Sequence, residues 1–263
     1  MSITLTQHDG IALLELSYPP VNAFGIALRR ALTNTFEQLR TDDCTRAVIV
    51  CGSGAGFSAG GDRSEFGRPE ASERPTLSRD VLAAIQACDK PVIAAIHGFA
   101  VGGGLEFALA CHCRVATSDA RIGLPETGIG RFPLSGSQRL PRLLGLESAA
   151  EWMMNARMTT AGDATAAPIF DRVLEDRAQL IPAAMELAKR AIESTPRLID
   201  DRPLPDADPA ASMRRIEALH PEAGRSPAQI ALLRALHAAA NTKNFGDGLE
   251  RAQALFDELT GQT

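Results

Sequence analysis

Several kinds of sequence are missing from this chain of 263 residues. Its longest apolar run, Pro91 to Ile96, is far too short to cross a bilayer. Residues 1–10 are polar and alternating, with neither the basic start nor the apolar stretch of a secretory leader, so a cytoplasmic protein off the membrane is expected. No basic run exists and the net charge is −5, which argues against a nucleic-acid partner. Lysine is scarce, because 24 of the 27 basic residues are arginine; that bias fits a GC-rich coding sequence and carries no functional weight. The five cysteines are odd in number and mostly lie in apolar stretches, which reads as reduced core thiols. Cys111-His112-Cys113 has no second ligand pair at a zinc spacing. No Walker sequence occurs. Gly52-Ser53-Gly54-Ala55-Gly56-Phe57 stops short of a dinucleotide fingerprint, because position 57 is Phe where the third glycine belongs.

What is present is an ordinary globular composition, 45% hydrophobic and 22% charged, long enough to bury a sizeable core. Residues 3–6 and 11–17 alternate around Asp9-Gly10, a hairpin signal. Residues 26–40 carry apolar side chains at 28, 32, 36 and 39, one helical face. The runs 47–51, 91–97 and 113–117 read as buried strands, with helices expected at 76–88 and 105–111. This alternation of strand and helix points to α/β. From residue 148 the pattern turns helical, with helices expected at 178–194, 208–219, 227–241 and 248–259. The Pro- and Asp-rich stretch 195–209 reads as a surface linker. The expected organisation is a core of residues 1–195 and a helical C-terminal region of residues 196–263.

The chemistry concentrates in two glycine-bearing segments and two glutamates. Gly102-Gly103-Gly104 follows a strand and opens a helix, where the first amides lack internal partners and the helix dipole favours negative charge. By itself such a triplet more often serves tight strand–helix packing. Glu106, three residues beyond Gly103 and flanked by Leu105 and Phe107, shifts the balance, since a carboxylate in an apolar helix is paired, exposed or functional. Phe57 to Asp62 is a second glycine-bearing turn, able to offer an amide to the same oxygen. Glu126 lies in the Gly-rich loop 123–130; alone it would pass for a solvated loop residue. Arg131 and Arg139 flank that loop and read as solvated surface charge rather than phosphate ligands, and His97 as a structural strand-end residue.

These segments, in this order, resemble the crotonase (enoyl-CoA hydratase/isomerase) superfamily. The matching stretches are Pro19 to Ala23, Phe57 to Asp62, Lys90 to Gly98, Gly102 to Glu106, Pro125-Glu126 and Gln138 to Leu143. The tail also resembles the hydratase half of bifunctional hydratase/3-hydroxyacyl-CoA dehydrogenases, through Arg214-Arg215 and residues 227–240 and 246–259. The chain ends where a dehydrogenase part would begin, so no dehydrogenase activity is expected.

The resemblance implies a crotonase-like spiral of ββα units with a helical C-terminal region, assembled as a homo-oligomer, a trimer or hexamer. It implies an oxyanion hole at the N–H groups of Gly61 and Gly103, and catalytic carboxylates at Glu106 and Glu126. Val21, Ala23, Ala59, Gly60, Asp62, Phe66 and Pro125 would contact the CoA thioester. The implied reaction adds water to a trans-2-enoyl-CoA to give a 3-hydroxyacyl-CoA, with no cofactor beyond the CoA carried by the substrate. The alternatives are a Δ3-Δ2 enoyl-CoA isomerase working through Glu126, a dual activity, or a catalytically weak acyl-CoA-binding protein. Three departures from the family pattern stand out. Gly61 replaces the usual Ala, Ala167-Pro168 replaces the usual Leu-Gly, and the loop Pro133 to Gln138 is one residue shorter and carries Leu134.

Overall fold

A computed structural model describes residues 3–68, 73–194 and 196–261. Thr195, the expected boundary residue, lies outside them. The strands are β1 (Ile3–His8), β2 (Ile11–Leu16), β3 (Ala47–Gly52), β4 (Val92–Ile96), β5 (Phe99–Val101), β6 (Cys113–Thr117), β7 (Arg121–Gly123), β8 (Met158–Thr160) and β9 (Arg172–Leu174). The α-helices are α1 (Ile26–Thr41), α2 (Ala83–Gln86), α3 (Gly103–Ala110), α4 (Gly136–Arg139), α5 (Pro141–Leu144), α6 (Leu146–Met154), α7 (Leu180–Glu193), α8 (Pro209–Leu219), α9 (Pro227–Asn241) and α10 (Phe245–Thr260). Among the described residues no helix is long and apolar enough to cross a membrane.

Contacts divide the chain into two compact units, residues 1–122 with 159–198, and residues 123–158 with 199–263. A single cut near residue 195 therefore misses two crossings of the chain, at 122/123 and 158/159: residues 123–158 go with the C-terminal helices.

The first unit is built on a six-stranded sheet of order β1-β2-β3-β4-β6-β9. β1 and β2 form the antiparallel hairpin expected from Asp9-Gly10, with Ile3 opposite Leu16 and His8 opposite Ile11. Every later pairing is parallel. A parallel sheet is covered on both faces, and β3, β4 and β6 are accordingly buried at every residue. On one face Ile49, Cys51, Ile93, Ala95 and Val115 pack with Leu180, Ala184, Leu187 and Ala188 of α7. A second apolar centre forms around the Phe107 ring of α3. It stacks on Phe24 at 5.5 Å between centroids and meets Phe57 at 5.8 Å and Phe36 of α1 at 6.4 Å. That anchor fixes α3, and with it the glycine triplet, against α1.

The expected helix over 76–88 is wound differently. Leu77–Leu82 is a π-helical stretch, and only Ala83–Gln86 is α-helical. Thr76 O accepts from both Asp80 N at 3.3 Å and Val81 N at 3.2 Å, so the first turn is widened. Asp80 Oδ2 in turn takes the Thr76 N–H at 2.6 Å.

The second unit is helical. α9 opens with a capping box, in which Ser226 Oγ accepts from Gln229 N and Gln229 Oε1 accepts from Ser226 N. Gln138 Nε2 of α4 donates to Ala235 O of α9 at 2.9 Å. Arg139 is fully buried, contrary to the solvated role expected of it. Asp200 accepts from its Nε at 2.7 Å and its Nη2 at 2.9 Å, and the Phe245 ring lies 4.8 Å from its guanidinium carbon. Arg131 sits against the Phe256 ring, and burial lowers its pKa.

Candidate active site

The two glycine-bearing segments meet in the first unit. The chain from Asn22 to Phe24 runs beside residues 58–61. Ala59 N donates to Val21 O at 3.0 Å, and Phe24 N donates to Gly60 O at 2.7 Å. On the other side, Val101 N donates to Ser58 O at 3.0 Å and Ser58 N to Phe99 O at 3.2 Å. The segment carrying Gly61 is thus laced between the α1 approach and β5, the strand that leads into the glycine triplet.

Gly60 has φ +89°, and a Cβ placed on it would lie 2.8 Å from Gly103 N. Only glycine fits so close an approach in that backbone conformation. A Cβ placed on Gly103 would lie 3.4 Å from Gly61 N. The two expected hole donors are therefore brought side by side, one from a turn and one from the first residue of α3. Among the described residues, neither the Gly61 N–H nor the Gly103 N–H has an acceptor in the protein. Orphan amides are the rule at a helix N-terminus, and here the dipole of α3 adds positive potential. Such a pair can hold an oxygen that gains negative charge during reaction.

Glu106 lies one turn into α3, a helix buried at every residue, and is itself 8% exposed. It is neither a surface dipole complement nor a solvated charge. Its N–H donates to Gly102 O at 3.0 Å, so the helical register fixes its offset from Gly103.

The other expected residues of the first unit frame the same segments. Val21 supplies the carbonyl that holds Ala59, and Ala23 O accepts from Gly25 N at 2.9 Å. Asp62 caps a 3₁₀ turn over Arg63–Glu65, its Oδ1 accepting from Ser64 N at 2.9 Å. Phe66 is half-buried, and its ring comes within 3.3 Å of where a Gly61 side chain would begin. A methyl group at position 61 would push that ring by a few tenths of an ångström.

Glu126 and Pro125 belong to the second unit. Glu126 opens a 3₁₀ turn, Glu126–Ile129, rather than sitting in an irregular loop; it is half-buried and its Oε2 is enclosed. Thr127 Oγ1 donates to Met153 O of α6 at 2.6 Å, and Arg131 N to Glu126 O at 3.0 Å. Leu134 is buried, and Ser137 Oγ donates to its carbonyl at 2.7 Å.

Two residues of the matching stretches hold the geometry without having been singled out. Asn22 adopts φ 51°, and its buried Nδ2 donates to Ser53 O, Gly56 O and Phe57 O at 3.0–3.1 Å. Ser58 Oγ donates to Asn22 O at 2.7 Å and accepts from Gly60 N at 3.1 Å. An asparagine after Pro-Pro-Val, where a left-handed residue can turn the chain, was the available signal. His97 is buried, with Nε2 3.1 Å from Gly54 O, and burial lowers its pKa.

A sequence model described as enoyl-CoA hydratase/isomerase matches residues 6–201. The chain belongs to the enoyl-CoA hydratase/isomerase family. Among its relatives, a probable enoyl-CoA hydratase of Bacillus subtilis (strain 168) is 36% identical over 203 residues, covering 75% of this chain and 79% of that protein. A peroxisomal bifunctional enzyme of Danio rerio is 42% identical over 183 residues, 69% of this chain. The match takes in only 25% of that longer protein. Among solved structures, the enoyl-CoA hydratase of Bacillus anthracis superposes with a TM-score of 0.68 at 28% identity, over 100% of this chain and 92% of the other. The α/β fold expected from the sequence is thus that of the family.

Proposed function

We propose that this chain is an enoyl-CoA hydratase that adds water across the double bond of trans-2-enoyl-CoA thioesters. The observation that carries the reading is the side-by-side, acceptor-free pair of amides at Gly61 and Gly103. In a conjugated thioester, attack at Cβ sends negative charge to the carbonyl oxygen, and paired N–H donors stabilise the resulting enolate. Removing one donor from such a hole costs about 3–4 kcal/mol of barrier.

In this reading Glu106, as the carboxylate, takes a proton from the water that attacks Cβ. Glu126, as the carboxylic acid, gives a proton to Cα and collapses the enolate. One proton is taken and one delivered, and water is consumed whole, so the reaction is redox-neutral. General acid–base assistance of this kind is worth roughly a hundredfold to ten-thousandfold in rate. The chemistry calls for no metal and no redox cofactor; coenzyme A arrives as part of the substrate. Val21, Ala23, Ala59, Gly60, Asp62, Phe66 and Pro125 are proposed to contact it. The proposal also takes the protein as a cytoplasmic homo-oligomer, a trimer or hexamer, which light scattering would measure directly.

The test is the loss of enone absorbance when the purified protein meets crotonyl-CoA, then a ten-carbon trans-2-enoyl-CoA, with the product identified as 3-hydroxyacyl-CoA. Isomerisation of a 3-enoyl-CoA is the second reading, since the family's description includes it. Conversion of 3-enoyl-CoA with no hydration of the 2-enoyl ester would establish it. Binding of both esters without turnover would reduce the chain to an acyl-CoA-binding protein.

A further inference from the structure

The buried guanidinium of Arg29 belongs to the same unit as the two hole donors. Its side chain is 6% exposed and that of its partner Glu65 is 14% exposed. Arg29 Nη1 donates to Glu65 Oε2 at 2.9 Å and to Phe24 O at 2.9 Å, while Nε donates to Pro75 O at 2.7 Å. Nη2 reaches Glu73 O at 3.4 Å. Four groups from three stretches of chain thus converge on one rigid fork.

Each stretch leads to the hole. Phe24 is hydrogen-bonded through its N–H to Gly60 O, beside Gly61. Glu65 closes the turn that follows Gly61, and its Oε1 accepts from Ile26 N, the first amide of α1, at 2.8 Å. Gly25 has no side chain to cap that helix; a Cβ there would lie 2.8 Å from Glu65 Oε1. Pro75 precedes Leu77, whose Cδ2 lies 2.7 Å from where a Gly103 Cβ would sit. The Gly61 turn and the leucine that backs Gly103 therefore hang from one side chain.

We propose that Arg29, held by Glu65, is the positioning residue of the oxyanion hole, setting the Gly61 turn and the Leu77 segment against the start of α3. The inference rests on the oxyanion-hole reading above. Arg29 touches no reacting atom. It acts by fixing the distance between the two amides, and hole donors are sensitive to that distance because they work on charge that develops at one point. A purely structural ion pair would behave otherwise: its loss would lower stability and leave the chemistry of the folded protein intact.

The experiment uses Arg29→Lys, which keeps the charge but cannot reach Phe24 O, Pro75 O and Glu65 together, and Glu65→Gln in parallel should the lysine variant fail to fold. Two quantities are read for each: the steady-state constants on crotonyl-CoA, and the carbonyl stretching band of bound butyryl-CoA, a thioester with no double bond to hydrate. For Arg29→Lys we expect kcat to fall by about tenfold to a hundredfold, the scale of a displaced donor. KM should change by less than kcat, because of the proposed CoA contacts only Asp62 and Phe66 flank the turn that Glu65 closes. The wild-type protein should move the butyryl-CoA band to lower frequency, and both variants should return it part-way to the free value. Variants that unfold earlier but keep the wild-type kcat and band overturn the proposal, as does a rise in KM alone. A wild-type protein that neither hydrates crotonyl-CoA nor shifts the band removes the oxyanion-hole reading itself, and the role of Arg29 with it.

Discussion

A methyl group at Gly104 probes the hole without touching either donor. Gly104 is the second residue of α3, and a Cβ built on it would overlap the carbonyl oxygen of Ser58. It would also lie 3.0 Å from that carbonyl's carbon and 3.1 Å from Ser58 Cβ. Carbon atoms settle at about 3.5–4.0 Å, so the two segments must part by about half an ångström or more. The obstacle is backbone, and Ser58 is fixed by its bonds to Phe99, Val101 and Asn22. Gly61 moves with Ser58 and Gly103 with Gly104, so the parting falls on the distance between the two amides.

A misplacement of 1 Å costs about a hundredfold in rate, so about half that shift or more predicts a loss of roughly tenfold to a hundredfold, or about 1.4–2.7 kcal/mol of barrier. Stability should change less. Overpacking costs about 1–3 kcal/mol, against a gain of up to about 1 kcal/mol for replacing glycine inside a helix. The assay is kcat on crotonyl-CoA beside a urea midpoint, with one control. Gly246→Ala, on the exposed first turn of α10, meets only Asn244 Oδ1 at 3.4 Å and should be neutral. A Gly104→Ala protein with wild-type kcat would refute the reasoning, because it would show that separating these segments leaves the chemistry untouched.

Other consequences are as direct. Glu126→Gln should lose nearly all hydratase activity, about a hundredfold or more, while still binding CoA esters by calorimetry; full turnover would remove Glu126 from the mechanism. Asp200→Ala leaves the fully buried Arg139 charge without its bidentate partner and should cost about 3–5 kcal/mol in denaturant unfolding, whereas the double change Arg139→Met/Asp200→Leu should recover much of that loss. His97 has its pKa depressed chiefly by burial, so the unfolded chain binds its proton first as the pH drops. Its contribution is complete above about pH 6.5 and is lost as the pH falls toward the folded-state value. The urea midpoint should therefore fall between pH 7.5 and 5.5 less steeply in His97→Gln than in the wild type, and equal slopes would show that His97 carries none of the dependence.

The parts of the site that the sequence displays are those in which local chemistry decides the outcome. Asp9-Gly10 gives the β1–β2 hairpin, and the 28/32/36/39 spacing gives α1 almost to the residue. The glycine triplet gives the start of α3, because unpaired backbone donors need small residues around them. Strands of three residues, such as β5, β7, β8 and β9, hold too few positions to show a period, and only their neighbours define them. Arg139 reads as surface charge because nothing adjacent predicts its carboxylate, which lies 61 residues away at Asp200. Arg29 is silent for the same reason: Glu65 is 36 residues on, and its other acceptors are backbone carbonyls that any sequence would supply.

The same division bears on the two reactions weighed for this chain. The proposed hole consists of main-chain amides, so a side-chain substitution would alter it by crowding, as at Gly60 and Gly104, or through remote supports such as Asn22 and Arg29. The two carboxylates stand on different compact units, Glu106 inside the buried helix α3 and Glu126 on a 3₁₀ turn pinned to α6. Stabilising an enolate needs only the first unit. In the proposed mechanism, the choice between adding water and shifting a double bond rests on which of the two carboxylates acts. Substitutions at Gly104 and Arg29 should accordingly depress hydration and isomerisation together. Glu106→Gln should depress hydration selectively, since an isomerase can work through Glu126 alone. A Glu106→Gln variant that lost both activities in equal measure would place the helix carboxylate in enolate formation itself rather than in the handling of water.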